Sequence, residues 1–338
     1  MDLRNAALKP PQEHRNQTFC YSVQPLVQYG GLRNTIFRQP TPDQIGRIRL
    51  TDFKRVGIFA RKDHDSLGKI LAKLIEYLRA MGTDVVADTD SAHLVPDNSI
   101  ATVADTELGK DRDLIIAVGG DGTMLFAARL TFGHDVRLLG INLGHLGFLT
   151  DLTPAQIPTG LEKILNGDFV EDTRFFLQCE VQRDGETIQS GLALNDVVIQ
   201  KWNTARLISL DTYVDSSFVH SQRSDGVIVS TPTGSTAYAL AGGGPLLHPN
   251  LGAVVLVPIC PHTLTNRPLV IGNESTIEIT IKTDESDHAR LACDGDDIVE
   301  LAHGDRIQIT RAEQGIRLIH PATHDHYTTL RSKLSLGT

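Results

Sequence analysis

The sequence predicts an α/β N-terminal domain built on a parallel sheet, followed by a β-rich domain of antiparallel sheets. Three observations carry this reading. Short apolar strands alternate with helical patterns between Arg55 and Ile141. The run Leu114–Val118 is apolar at every position and breaks abruptly into the glycine turn Gly119-Gly120-Asp121-Gly122-Thr123, behind which helix formers begin at once. From about Thr173 the hydrophobic period drops to two. A run apolar on both faces suits a strand buried inside a parallel sheet, whereas alternation with one polar face marks antiparallel sheets.

Taken in order, residues 1–53 are polar and dotted with Pro10, Pro11, Pro25, Pro40 and Pro42, which discourage long helices. They read as an extension, partly disordered, for which a mis-set translation start is one account. Order begins at Arg55 with the strand Val56–Ala60. The spacing of Leu67, Ile70, Leu71, Leu74, Ile75 and Leu78 predicts a helix from about Ser66 to Met81, stopped by Gly82. Asp84–Ala87 is the next strand, and Ser91–Gly109 reads as linker. The strand 114–118, a helix to about Leu130 and the strand Arg137–Ile141 complete a β-α-β unit. These elements define a first domain over 54–150, a β-rich domain over 151–315 and a segment 316–338 that returns to the first. In the β-rich part, Ile208, Leu210, Thr212 and Val214 share one face, as do Ile277, Ile279 and Ile281, and then Ile307 and Ile309. Asp184-Gly185 is a hairpin turn.

Composition narrows the function classes. The 338 residues are 41% hydrophobic and 22% charged, with a formal net charge of −9. Broad nucleic-acid binding needs clustered Lys and Arg, and no basic run occurs. No apolar stretch reaches membrane-spanning length, and the N-terminus lacks a signal-peptide core. Cys20, Cys179, Cys260 and Cys293 are scattered without a CxxC pair, which favours free thiols and a cytoplasmic location.

The chemistry concentrates in two glycine-rich stretches. In the first, Gly119, Gly120, Gly122 and Thr123 form a phosphate-binding turn, because the amides that open a helix have no partner within it. A carboxylate in such a cradle calls for an explanation. Asp121 either helps hold a cation shared by the phosphates, or takes a proton from a hydroxyl nucleophile, or simply caps the helix. A dinucleotide-binding dehydrogenase would carry GxGxxG after its first strand, where this chain reads Ala60-Arg61-Lys62-Asp63-His64. Asn142 with Gly144 and Gly147 ends the following strand, a position where α/β sheets bind ligands. The second stretch, Ser224–Pro245, places Thr231-Pro232-Thr233-Gly234-Ser235-Thr236-Ala237-Tyr238 after an apolar strand and reads as a ligand-lining loop. Ser235 lacks the GxSxG context of a hydrolase nucleophile.

On these motifs the chain resembles the bacterial ATP-dependent NAD kinases over about residues 55–335. The resemblance rests on Gly119–Thr123, Asn142 with Leu146–Thr150, Leu194-Asn195-Asp196, Ser224-Asp225-Gly226 with Thr231–Tyr238, and Pro261-His262-Thr263-Leu264. The glycine–Asp turn is shared with phosphofructokinases and lipid kinases; the Thr231–Tyr238 stretch is the specific part. The resemblance implies transfer of the ATP γ-phosphoryl group to the adenosine-ribose 2′-hydroxyl of NAD, with Asp121 as general base. It implies dinucleotide contacts from Gly122, Asn195, Asp196, Arg206, Arg223 and Asp225, and from the lining run Thr236, Ala237, Tyr238, Ala239, Leu240 and Ala241. ATP and NAD are then the substrates, and a divalent cation, commonly Mg²⁺, accompanies the phosphates. It further implies a homodimer or homotetramer with sites near subunit contacts, no nucleic-acid or membrane partner, and a preference for NAD⁺ over NADH associated with Arg223. Asp296 departs from the pattern, standing where relatives often carry Gln. Two other readings stay open at this point: a kinase of the same turn type acting on a sugar phosphate or lipid, and a silent dinucleotide-binding regulator.

His320, His324 and His326 fall close together; their spacing could suit a metal, but no carboxylate-rich second shell is evident, so they read as a solvated tail and no metal site is expected there. His262 follows the Pro261 turn and reads equally as structural or site-adjacent. The weak apolar periodicity of the extension yields a first prediction. Deleting residues 1–50 should leave the melting temperature nearly unchanged, as read by thermal unfolding. A large drop would show that the extension docks on the ordered chain.

Overall fold

The computed structural model describes residues 53–61, 67–95, 100–144, 147–263, 265–282 and 288–335. Positions 1–52 of the expected extension, together with Ser66, Leu146 and Leu264, lie outside them. Phe53 is buried, its ring 5.6 Å from that of Phe169.

The first half alternates as its periodicity requires. Strand β1 (Arg55–Ala60) leads into helix α1 (Leu67–Ala80), which buries Leu67, Leu71, Leu74, Ile75 and Leu78 on one face. Strand β2 (Asp84–Asp88) follows. The stretch expected to be linker is in fact structured, with helix α2 (Thr89–Leu94), strand β3 (Ala101–Val103) and a 3₁₀ turn (Asp105–Glu107). Its elements are too short to display a period. The Asp88 carboxylate caps α2 at the Ser91 N–H, the Ser91 hydroxyl oxygen accepts the Ala60 N–H, and β3 pairs in parallel with β2. Strand β4 (Leu114–Val118), helix α3 (Asp121–Leu130) and strand β5 (Arg137–Ile141) complete the unit. β1 pairs in parallel with β2 and β4, and β4 with β5, so β4 lies inside the sheet and every one of its side chains is buried.

The second half is mainly strands. After the short helix α4 (Glu162–Leu165) come β6 (Phe169–Arg183), β7 (Glu186–Ala193), β8 (Asp196–Lys201), β9 (Ile208–Val214), β10 (Ser217–Ser224) and β11 (Gly226–Ser230). Helix α5 (Tyr238–Ala241) precedes β12 (Ala253–Ile259), β13 (Leu269–Gly272), β14 (Ile277–Ile281), β15 (Ala289–Cys293), β16 (Asp296–Leu301) and β17 (Arg306–Pro321); α6 (His326–Leu334) closes the order. The β6–β7 hairpin turns at Asp184-Gly185, both at positive φ.

Two sheets result. β17 is 16 residues long and belongs to both textures of the larger one. Its first part pairs antiparallel with β14, and Arg317 and Leu318 pair in parallel with Arg137 and Leu138 of β5. The 11-stranded mixed sheet therefore draws strands from both sides of position 150. The six-stranded antiparallel sheet runs β13-β12-β11-β8-β15-β16. Leu210, Ile279 and Ile307 of the large sheet meet Val197, Val229 and Leu291 of the small one in a single apolar cluster. That packing fixes β8 and β15, and with them the turns at their ends.

Candidate active site

The glycine turn sits at the carboxyl end of β4, where a parallel sheet presents its ligand face. The Gly119 N–H donates to the Ile141 carbonyl at 2.9 Å, and a Cβ on Gly119 would lie 2.2 Å from Thr123 Oγ1, so only glycine allows this approach. Helix α3 starts at Asp121 with Gly120 as its N-cap and no side-chain capping bond. The amides of Asp121 and Gly122 thus stand outside the i→i−4 ladder, available to phosphate oxygens.

Asp121 does not cap. Its carboxylate crosses to the loop after β5, accepting the Phe148 N–H at 2.9 Å and the Leu149 N–H at 3.0 Å. A Cβ on Gly147 would fall 1.9 Å from Asp121 Oδ1, which makes that glycine the condition for the clamp. Each carboxylate oxygen keeps a lone pair beyond its amide bond, so the group is oriented and still able to accept a proton. Asn142, expected at a ligand site, has its amide engaged inside the same loop: Nδ2 donates to Thr150 Oγ1 at 3.0 Å and Oδ1 accepts the Gly144 N–H at 2.9 Å.

A second locus is a cleft of about 310 Å³ along one face of β8 and β15, lined by Asn195, Asp196, Ala237, Tyr238, Asp294 and Gly295 among others. Its floor is set by Asp294. That carboxylate, its side chain fully buried, accepts the Leu194, Asn195 and Asp196 N–H groups at 2.9, 2.7 and 3.2 Å. Burial pushes Asp294 above the usual carboxylate range against those bonds. Asp196 is buried as well; burial, and then the neighbouring Asp294, raise it to about 7. Asn195 Oδ1 is buried without a hydrogen-bond partner among the described residues, which suits an acceptor waiting for a ligand donor.

Helix α3 joins the two loci. Arg129, near its C-terminus, donates to the Cys293 carbonyl at 3.2 Å and to Asp294 at 3.4 Å, and also binds the exposed Asp296 carboxylate. Eight residues of helix, about 12 Å, separate Arg129 from Asp121.

Residues 56–169 match the family model described as ATP-NAD kinase N-terminal domain, and residues 194–321 match the ATP-NAD kinase C-terminal domain. The chain belongs to the ATP-NAD kinase family. The NAD kinase of Teredinibacter turnerae is 44% identical over 285 residues, covering 84% of this chain and 97% of that protein. That of Hahella chejuensis is 43% identical, covering 84% and 96%. Among solved structures, yeast NADH kinase complexed with NADH has a TM-score of 0.78 at 24% identity, covering 85% of this chain and 89% of that one. An NAD kinase from Archaeoglobus fulgidus in complex with ATP has a TM-score of 0.66 at 25% identity, covering 83% and 98%. The two-domain family fold, with a largely parallel N-terminal sheet and an antiparallel C-terminal one, is the fold described above.

Within that family frame, the expected site residues fall into three groups. Asp121, Gly122 and the phosphate turn form one, and Asn195, Asp196, Ala237 and Tyr238 meet in the cleft. Arg206, Arg223 and Asp225 lie apart: Arg206 and Arg223 are exposed, and Asp225 pairs with Lys201 at 2.7 Å. In the ladder Ser230 is opposite Asp196 and Gly226 opposite Gln200, so Asp225 is displaced along β11 from the Asp196 end by at least about 13 Å. The lining run divides. Ala239 is fully buried against Val198 and Ile228, because the short helix α5 must turn one face into the sheet. Thr236, Leu240 and Ala241 do not line this cleft. Asp294 is the residue that sequence reasoning passed over. The signal was present, since Asp294-Gly295 repeats the hairpin pair of Asp184-Gly185 and takes positive φ at both positions.

The raised Asp196 carboxyl gives a pH prediction with a definite sign. Between the ordinary value near 3.8 and about 7 the folded chain holds a proton that the unfolded chain has released, so this residue's contribution to stability falls as pH rises through that window and is flat above it. Replacing Asp196 by Asn should remove that slope. Melting temperatures at pH 5 and pH 8 should therefore show a variant-minus-wild-type difference that grows with pH. Parallel profiles would show that Asp196 titrates normally.

Proposed function

We propose that this chain is an NAD kinase, transferring the γ-phosphoryl group of ATP to the 2′-hydroxyl of the adenosine ribose of NAD⁺ to form NADP⁺, with Asp121 as the general base. The observation that carries the assignment of Asp121 is its clamp on the Phe148 and Leu149 amides. The carboxylate is aimed away from its own helix, next to amides suited to phosphate. A ribose hydroxyl is a poor nucleophile at neutral pH. A fixed carboxylate takes its proton as the new O–P bond forms, and the P–O bond to the departing ADP breaks.

The cleft supports the acceptor side. Asn195 Oδ1 offers a buried acceptor to a ribose hydroxyl, Asp196 stands beside it, and the exposed Tyr238 ring offers a surface for a base. The residues also fit a divalent cation such as Mg²⁺. Asp121 is a carboxylate with both oxygens already bonded to amides, which matches an ion held chiefly by ATP phosphates with at most one protein oxygen. Bound there, the ion would neutralise charge on the transferring group. An assembly of two or four copies, with sites near subunit contacts, belongs to the same reading. Arg206, Arg223 and Asp225, beyond the cleft, would act on the far part of a dinucleotide, and the exposed Trp202, Phe218 and Val219 offer apolar surface for a neighbouring copy. An Arg223 that meets the phosphate or ribose part of the dinucleotide, away from the cationic nicotinamide it would repel, accords with NAD⁺ as the preferred acceptor. We place the reaction in the cytoplasm, in keeping with Cys179 and Cys293, which meet at 3.6 Å as free thiols; no helix among the described residues is long and apolar enough to cross a membrane.

Incubation with ATP, Mg²⁺ and NAD⁺ should yield NADP⁺, read by an NADP-specific dehydrogenase. No signal above blank from folded protein would return the chain to the class of silent binders, and phosphorylation of a sugar phosphate or lipid instead would favour the other kinase reading.

The role of Asp121 has its own test. Asp121→Asn should lower turnover by about 10²–10⁴-fold at saturating substrates, with NAD⁺ affinity changed far less. Asn offers one oxygen to two amides, so a modest fall in melting temperature is expected alongside. Turnover within a few-fold of wild type would reduce Asp121 to a loop clamp.

A further inference from the structure

The C-terminal histidines do not form a solvated tail. His320 ends β17 at 1% exposure, and His324 is half-buried in the turn that follows. Their rings stack with centroids 4.2 Å apart, and both direct Nδ1 at one carboxylate: His324 to Asp151 Oδ1 at 2.6 Å, and His320 to Asp151 Oδ2. The ligating atoms of the three residues lie within 4.8 Å of one another.

We propose that Asp151, His320 and His324 form a binding site for a divalent transition-metal ion of the zinc class. Two imidazoles and one carboxylate make a borderline-soft donor set, and three protein ligands leave a fourth position for water. The site is distinct from any Mg²⁺ carried by nucleotide phosphates, since its donors are mostly nitrogen. It is also assembled from three separate places in the chain: the end of the loop after β5, the end of β17 and the turn before α6.

The surrounding groups carry the argument further. Among the described residues, buried His320 Nε2 has no hydrogen-bond partner, and neither has Asp172 Oδ1; the other Asp172 oxygen lies 3.8 Å from that Nε2. With no metal, Asp151 accepts a hydrogen bond from the His320 Nδ1–H, and Nε2 is left as an acceptor facing a carboxylate. With a metal on Nδ1, the ring proton sits on Nε2 and points at Asp172. That tautomer makes Nε2 a donor on the Asp172 side, 3.8 Å from Oδ2, which sets Asp172 as an outer carboxylate behind a metal-bound histidine. Asp172 is itself held by Arg174, whose Nε donates to it at 2.8 Å and whose Nη1 reaches Thr233 Oγ1 at 3.0 Å. Access is provided by a cavity of about 230 Å³ that Asp151 shares with Asp168, Lys163 and the turn 321–323.

The test uses the full chain, stripped with a chelator, reloaded with Zn²⁺ or Co²⁺ and dialysed. Elemental analysis should find one zinc per chain, the Co²⁺ protein should show the visible bands of a four-coordinate nitrogen–oxygen site, and Zn²⁺ should raise the melting temperature. His324→Ala, a half-buried turn residue, should abolish all three. Asp172→Asn should weaken Zn²⁺ binding by about 10–100-fold without removing a ligand. Cys260→Ser, which removes an exposed thiol, should change nothing. The proposal is overturned if the wild-type chain retains no metal, if His324→Ala retains as much, or if the cobalt spectrum shows thiolate charge transfer that Cys260→Ser removes.

Discussion

A buried carboxylate held mainly by backbone amides is the constraint on which the C-terminal half of the candidate site depends. Asp294 sits at the tip of a tight hairpin and gathers three successive amides of the facing segment, Leu194 to Asp196. Removing such a group from water is costly unless its lone pairs are filled. Here the backbone fills them and the distant Arg129 completes the set. The consequence is geometric. The turn before β8 cannot relax while Asp294 is in place, so Asn195 presents its side-chain oxygen at a defined point. The same arginine ties that hairpin to α3, the helix that begins with Asp121. A shift in either element is felt by the other through packed helix rather than through flexible loop.

The parallel half works by the same device with the roles reversed. Asp121 belongs to a helix start but serves the loop after β5, which it holds by two amides. Neither clamp is local in sequence: 27 residues separate Asp121 from Phe148, and 100 separate Asp294 from Leu194. Both are possible only because sheet register puts the strand ends side by side. β4 aligns with β5 so that Val118 faces Ile141, and β8 aligns with β15 so that Val197 faces Cys293. The registers are pinned by apolar clusters, so the chemistry rests on core packing some distance away.

This explains which features could be read from sequence. Strands and helices with a clear period were legible: α1 with its buried face, β4 apolar throughout, and β9, β14 and β17 with alternating burial. The strand–glycine–helix junction at 118–123 was legible because it is contiguous. Elements as short as α2 and β3 show no period; α2 is held by a buried Asp88–Ser91 network and β3 by parallel pairing with β2. Roles created by long-range contact were not legible. Asp121 resembles an N-cap in its local setting, and Asp294 resembles an ordinary hairpin residue. His320 resembles part of a polar tail, yet it is buried because the last strand of the chain inserts next to β5.

Charge poses the last question, because polyphosphate substrates and an acidic chain repel each other. The chain carries −9 overall, and Asp121, Asp196, Asp294, Asp296 and Asp297 all lie around the two loci. The structure answers this residue by residue. Asp121 is met by backbone amides, and Asp294 by three backbone amides together with Arg129; the amide dipoles oppose the charge. Asp296 is met by Arg129, Asp297 by Arg290, and Asp225 by Lys201. Asp196 meets no cation and no amide among the described residues, and it holds its proton up to about 7 instead. Each carboxylate is thus neutralised where it stands, and the helix-start amides at Asp121 and Gly122 remain for phosphate. A net negative surface is then compatible with binding anions, because the field a ligand meets within a few ångströms is set by these local pairings, while the distant charges are screened over about 8–10 Å at physiological salt.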